Sequence, residues 1–226
     1  MTTHYWLFDL DNTLHQADAG IFSIINQHMT AYLAANLHID STTASQLRQQ
    51  YWQDYGATLA GLRLHHPEIN LHDFLLACHP LAQILPLLQP MPQLQYTLAH
   101  LPGHKVVFSN GPSHYVQALI SAMQIQQHFH ALLGTDNIEL HHKPHPQAYH
   151  NLCRQLHIRP QQCIMVDDSL ANLKTAHKMG MRTVWYGKHS HPTHETNAAV
   201  PDMSSLLHIA PDLLGSAIRQ HTNSLQ

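Results

Sequence analysis

Two aspartates one residue apart open the segment Asp9-Leu10-Asp11-Asn12-Thr13-Leu14. They follow an apolar run, Tyr5-Trp6-Leu7-Phe8, that predicts a buried strand. Carboxylates so spaced at the carboxyl end of a strand can share a metal ion and divide two tasks. One attacks as a nucleophile and the other moves a proton. A second acid pair closes the run Cys163-Ile164-Met165-Val166, as Asp167-Asp168-Ser169. Adjacent carboxylates repel unless a cation holds them, so Mg2+ with oxygen ligands is their natural partner. Taken alone, the same residues also read as a solvated acidic turn, with Ser169 capping the next helix and Asn172 one turn in. The run Val106-Val107-Phe108 passes into Ser109-Asn110-Gly111. A hydroxyl, an amide and backbone N–H groups at a helix start can cradle an anion, and equally form an ordinary turn and cap. Lys143 lies in His142-Lys143-Pro144-His145-Pro146. Proline confines the residue before it to extended geometry, which sets the lysine on a loop where its ammonium can meet a phosphate as a point charge.

The elements that must position these groups follow from hydropathy patterning. Residues 5–10 predict the first strand. Ile21, Ile24, Ile25, His28, Met29, Tyr32 and Leu33 recur at helical spacing. A second helix is expected from an N-cap at Ser41 through about Leu62, carrying Leu47, Tyr51, Tyr55 and Leu59. Two short helices are expected over residues 71–78 and 81–88, ending in a proline-rich hinge from Pro86 to Pro92. Beyond it the pattern alternates. Helices are expected over 93–100, 113–123, 146–156 and 169–179, the third with proline in its first turn and the last closed by Gly180. Strands are expected over 105–109, 131–135, 163–166 and 182–186. Strands alternating with helices of about 10–15 residues imply a parallel sheet covered on both faces, with the site beyond the carboxyl ends of the strands. Residues 189–197 read as a polar loop, and the last few residues are expected to fray.

The 226 residues are 44% hydrophobic and 11% charged, with 24 histidines partly replacing lysine and glutamate as polar surface. Such a length suits one core domain with an inserted subdomain. A formal net charge of −3 without a basic stripe excludes nucleic acid as a main partner. The histidines show no helix-spaced zinc pattern and read as solvated or half-buried. Cys78, Cys153 and Cys163 form no C-x-x-C pair, and their odd number argues against a disulfide framework. No window approaches the roughly 20 apolar residues of a membrane span. A cytoplasmic protein with no membrane partner, either monomer or homodimer, is expected.

Taken together, the four strand-end segments resemble the haloacid dehalogenase superfamily of phosphohydrolases. The matches are Asp9-Leu10-Asp11-Asn12-Thr13, Ser109-Asn110, Lys143 and Asp167-Asp168. The stretch between Asp11 and Ser109 is far longer than a turn requires, whereas Ser109 to Lys143 leaves room for one helix, one strand and a loop. The only sizeable insert is therefore the helical one. The expected fold is α/β: a doubly wound, Rossmann-like parallel-sheet core over residues 1–15 and 91–226, with an all-helical cap over 16–90.

The resemblance implies stepwise phosphoryl transfer. Asp9 attacks phosphorus and becomes an aspartyl-phosphate, and Asp11 serves as acid and then base. Mg2+ is held by Asp9, the Asp11 carbonyl and Asp168, with Asp167 direct or through water. Ser109, Asn110 and Lys143 bind the phosphate. The superfamily's dehalogenases lack an acid at the position of Asp11, so its presence favours a phosphatase or phosphomutase. The segments running Trp6 to His15, Tyr55-Gly56-Ala57-Thr58-Leu59-Ala60-Gly61-Leu62 and Asp168-Ser169-Leu170-Ala171-Asn172-Leu173 are similar to the pyrimidine 5′-nucleotidase branch. That similarity implies hydrolysis of UMP or CMP, so the expected partner is a nucleoside monophosphate or another small phosphorylated metabolite. Tyr51, Trp52 and Tyr55 can offer a stacking face to a base, although their spacing with Leu59 and Leu62 equally suits core packing. His15 and Asp18 can contact the substrate or close the lid. A generic small-molecule or sugar phosphatase is the alternative. A non-catalytic binding protein on the same fold is the second alternative, against which stand the intact Asp9, Asp11, Lys143, Asp167 and Asp168.

Overall fold

A computed structural model describes residues 3–222. Six parallel strands form one sheet in the order β3-β2-β1-β4-β5-β6. They are β1 (Tyr5–Phe8), β2 (His104–Phe108), β3 (Ala131–Leu133), β4 (Cys163–Asp167), β5 (Arg182–Tyr186) and β6 (Ala198–Val200). The helices are α1 (Ile21–Leu37), α2 (Ser41–Tyr55), α3 (Thr58–His65), α4 (Leu71–Cys78), α5 (Leu81–Ile84), α6 (Leu94–His100), α7 (Ser113–Ala122), α8 (Pro146–Leu156), α9 (Leu170–Lys178) and α10 (Ser205–Thr222). This is the expected doubly wound α/β core. Strand order reverses at β1, and in such sheets a ligand crevice opens where the order reverses.

The sheet is buried on both faces, which explains why its strands read as unbroken apolar runs. Trp6 and Phe8 point to one side, where they share a core with Leu98, Tyr115, Leu119 and Leu206. Leu7 points to the other, against Phe108, Tyr149, Leu152 and Leu173. A third core holds the cap together: Leu33, Tyr51, Leu59, Leu62, Phe74 and Leu75, drawn from α1 to α4. Helix α1 joins two of these cores, since Ile21 and Ile25 pack on the sheet side and Leu33 in the cap. Where the chain leaves for the cap and returns, the two segments are zipped together. Gln16 N–H donates to the Gln89 carbonyl at 2.9 Å and Met91 N–H to the Leu14 carbonyl at 3.0 Å.

Several local expectations are corrected. The long second helix is two helices, because Gly56 (φ +81°) ends α2 in the left-handed region, where a side chain is strained. Its N-cap is Asp40 rather than Ser41, with the carboxylate accepting the N–H groups of Thr42 and Thr43. The helix expected over 81–88 shortens to α5 followed by a single turn of 3-10 helix. The segment after the polar loop carries β6 and α10, which were not expected. The expected fraying of the last few residues falls largely outside the described residues. Among the described residues, no helix is long and apolar enough to cross a membrane. The three cysteines are free and buried.

Candidate active site

Asp9 follows directly on β1, and its N–H still donates to the Val166 carbonyl of β4 at 3.0 Å. The parallel ladder therefore holds the carboxylate beside the end of β4. Lys143 Nζ lies between the two strands, 2.7 Å from Asp9 Oδ1 and 2.9 Å from Asp167 Oδ2, with the lysine side chain 1% exposed. The Phe108 ring sits beneath it, its centroid 5.0 Å from Nζ. Asp168 adds a third carboxylate: Asp9, Asp167 and Asp168 each offer an oxygen within 4.8 Å of the others. Asp11, at the next outward turn, and Asn110 line the same cavity. Ser109, at the end of β2, is fully buried with its Oγ accepting the Gly111 N–H at 2.9 Å. Asp9, Asp11, Asn110, Lys143 and Asp168 thus line one crevice at the carboxyl ends of β1, β2 and β4, whereas Ser109 and Asp167 are fully buried and do not line it.

Their jobs within it differ. Asp167 is an anchor: its two oxygens take Lys143, both contacts from Asn172 Nδ2 at 3.0 Å, and the Ser169 N–H at 2.8 Å. Ser169 sits at the start of α9 but makes no side-chain cap, so Asp167 serves that helix end in its place. Asn110 uses both ends of its amide on the main chain of Lys143, donating at 2.9 Å and accepting at 2.7 Å. That pair fixes the lysine loop. Asn12 takes the left-handed conformation and is closed by a two-way contact with Asp18. Asp18 therefore shapes the loop after Asp9. His15 is completely buried, with Nε2 3.0 Å from Asp11 Oδ1.

Burial raises the Asp9 pKa well above the carboxylate range. Lys143 opposes the rise, while Asp167, Asp11 and Asp168 add to it. Burial works against the charged form of Lys143, but Asp167 and Asp9 outweigh it and hold the ammonium at about 12. Asp168 rises to about 6 through burial and then repulsion from Asp167. Asp9, Asp167 and Asp168 crowd three carboxyl groups around the Lys143 ammonium, an excess of acid that a divalent cation would offset. Oxygen donors so crowded suit Mg2+.

The cap overhangs this crevice, and between them lies a partly open cavity of about 1050 Å³. Its wall carries Arg48, Gln49, Trp52 and Gln53 from α2. Trp52 is 63% exposed, whereas Tyr51 is 6% exposed in the cap core with its hydroxyl 2.8 Å from His66 Nε2. Tyr55 packs against that same core with its hydroxyl on His65. Of the three aromatics only Trp52 presents a face to the cavity. Arg48 Nη1 donates to Asn26 Oδ1 at 2.8 Å, and its Nε is buried without a partner. His142 Nε2 donates to the Tyr55 carbonyl at 3.0 Å, tying the end of α2 to the lysine loop. The reading of the histidines as solvated or half-buried therefore fails at His15, His79 and His142, which are buried at cap and site contacts. Tyr115 and His79 also border the site and carry no sequence signal. Tyr115 falls on the apolar face of α7, and His79 follows α4 like any other surface histidine.

A model of the haloacid dehalogenase-like hydrolases matches residues 6–186. Among similar proteins, a phosphoglycolate phosphatase of Photorhabdus laumondii is 25% identical over 188 residues, which is 76% of this chain and 75% of that protein. A phosphoglycolate phosphatase of Pasteurella multocida is 27% identical over 138 residues, 61% of this chain but only 51% of its own length. The solved structure of a HAD phosphatase from Thermococcus onnurineus superposes with a TM-score of 0.61 at 18% identity, covering 94% of this chain and 98% of that one. The Photorhabdus laumondii and Pasteurella multocida relatives are named phosphoglycolate phosphatases, not pyrimidine 5′-nucleotidases.

Proposed function

This chain belongs to the haloacid dehalogenase-like hydrolase family, and on that premise we propose that it is a Mg2+-dependent phosphatase of small-molecule phosphomonoesters, working through a phosphorylated Asp9. The observation that carries this reading is the position of Asp9: at a strand end, charge-paired with Lys143, beside Asp168 and open to the cavity beneath the cap.

The donor set fits the metal. Asp9, Asp168 and the Asp11 carbonyl would hold it, with Asp167 reaching it through water because its own oxygens are engaged. When bound, the ion supplies charge neutralisation between carboxylate and phosphate. The protein's own groups do the rest. An Asp9 oxygen bonds to phosphorus and the bond to the alcohol oxygen breaks. That oxygen keeps the electron pair and takes a proton from Asp11. Asp11 then accepts a proton from the water that hydrolyses the aspartyl-phosphate and regenerates Asp9. Ser109 and Lys143 stabilise charge on the non-bridging oxygens. The division of labour follows the chain: of the described residues, those before position 16 and after position 90 would form the catalytic core and 16–90 the cap, a boundary supported by the backbone zip at Gln16–Gln89 and Leu14–Met91.

The names of the relatives support a general small-molecule phosphatase. A second reading, hydrolysis of a pyrimidine nucleoside monophosphate, is favoured by the size of the cavity and by the open indole of Trp52 beside Gln49 and Gln53. Phosphate release from UMP, CMP, phosphoglycolate and glucose phosphates, with and without chelator, tests both. Activity is expected to vanish on chelation and to return with Mg2+, and Asp9→Asn is expected to be folded and inactive. A fully active Asp9→Asn protein defeats the assignment. Equal rates on UMP and the glucose phosphates remove the nucleotidase reading.

A further inference from the structure

Asp11 has one oxygen tied down and one left open. Oδ1 accepts the Tyr115 hydroxyl at 2.5 Å and lies 3.0 Å from His15 Nε2. Oδ2 has no hydrogen-bond partner among the described residues, and Asp11 lines the cavity. Oδ1 remains an acceptor when the proton of the carboxyl group sits on Oδ2, so His15 must present Nε2–H to it. The other ring nitrogen agrees: His15 Nδ1 is buried without a partner, and a proton there would be an orphan donor. Both donors are therefore aimed at the same oxygen.

The surroundings are shaped for this contact. Tyr115 is fully buried, packed against His79 with ring centroids 5.2 Å apart and against His15 at 6.5 Å. A Cβ at Gly111 would stand 2.7 Å from Tyr115 Cδ1, so the absence of a side chain there admits the ring. His15 is pinned from the other direction, bridged to Pro90 where the cap segment returns to the core. Two segments distant in sequence thus deliver one donor each to one carboxylate oxygen.

We propose that Tyr115 and His15 are positioning residues for Asp11: by fixing Oδ1 they aim Oδ2 at the oxygen that leaves phosphorus. The proposal rests on the aspartyl-phosphate reading above. In the step concerned, the Asp9–phosphorus bond forms and the phosphorus–oxygen bond to the alcohol breaks. The released electron pair on the alcohol oxygen takes the proton from Asp11 Oδ2. A leaving group that departs as a weak base needs that proton little, and an alkoxide needs it fully. Loss of aim is therefore felt selectively, according to the leaving group.

The test is kcat/KM for an alkyl phosphate and for p-nitrophenyl phosphate, measured for Tyr115→Phe, His15→Leu and His15→Gln. This parameter ends at departure of the leaving group, so later hydrolysis of the intermediate does not enter it. General acid catalysis is worth about 10²–10⁴-fold, and partial loss of aim is expected to raise the aryl-to-alkyl ratio at least tenfold in Tyr115→Phe and His15→Leu. His15→Gln, which restores an N–H donor, is expected to recover part of the alkyl activity. Tyr115→Phe keeps the ring, and if it does not fold, the two His15 variants carry the test. A uniform loss on both esters overturns the proposal, because a purely structural role has no leaving-group preference. Faster alkyl turnover also overturns it, since the donors would then be holding Asp11 back. A wild-type protein inactive on both esters defeats the phosphatase reading itself, and this proposal with it.

Discussion

Lys143 shows how a single side chain can be both machinery and scaffold. Its ammonium is almost wholly buried between Asp9 and Asp167, and removing one member of a buried ion network leaves the others uncompensated. Lys143→Met, compared with wild type by urea unfolding at neutral pH with metal chelated, is expected to lose about 3–5 kcal/mol. Burial and the neighbouring carboxylates hold Asp9 above the normal carboxylate range, and losing the cation raises it further. The folded variant then binds protons that the unfolded chain releases, so its deficit is expected to shrink as pH falls. A deficit independent of pH would show that the carboxylates are not the cause. The acids, the lysine and the serine were legible in sequence because each ends an apolar run or abuts a proline. What they touch was not. The Asn110 amide on the Lys143 main chain and the Tyr115 hydroxyl on Asp11 join residues far apart in the chain, and no local pattern marks such a pair.

At the scale of elements, the junction of α2 and α3 depends on a residue with no side chain. Gly61 lies in α3 where a Cβ would come within 2.1 Å of Tyr51 Cγ, so the glycine allows the two helices to close around the Tyr51 ring. Helix propensity alone favours alanine there by up to about 1 kcal/mol. Overpacking of a closed contact costs about 1–3 kcal/mol, and an overlap this deep with a ring root lies at the upper end. Gly61→Ala is therefore expected to be destabilising by about 2 kcal/mol in thermal or urea denaturation, with a matching loss of cap order. A net stabilisation would mean that α3 slides to make room. Helical spacing gave α4 and α8 residue for residue and the start of α1, because their apolar faces are regular. The α2–α3 break was hidden because apolar spacing continues across Gly56, and the cap fell to Asp40 because its carboxylate reaches two N–H groups at once. The edge strand β6 and helix α10 follow a polar loop. A three-residue edge strand has too few positions to show alternation.

For the whole molecule, the contact of cap and core carries a titratable group. His79 ends α4 at the edge of the cavity, donating Nδ1–H to the Leu75 carbonyl at 2.8 Å and packing on Tyr115 and His114 of α7. Burial lowers its pKa from 6.5 to about 4. The Leu75 carbonyl, Asp11 and Asp136 oppose that shift, and His114 assists it. Because the folded pKa lies below the unfolded one, the folded chain binds fewer protons between these values. The stability His79 contributes is therefore present above pH 6.5 and lost as pH falls through about 4, a change of about 3 kcal/mol. Asp168 slopes the other way. With its folded pKa raised to about 6, its protonation favours the folded chain as pH falls from there. The total pH profile mixes the two, so the comparison must be between proteins at matched pH. His79→Phe keeps a ring against Tyr115 and removes the proton site. Its stability relative to wild type, from urea unfolding at pH 7 and pH 4, is expected to improve by about 3 kcal/mol across that interval. An unchanged difference would show that His79 takes its proton without disturbing the seam between cap and core. In the expected case the seam weakens locally as pH falls towards 4, and faster hydrogen exchange in α4 reveals it.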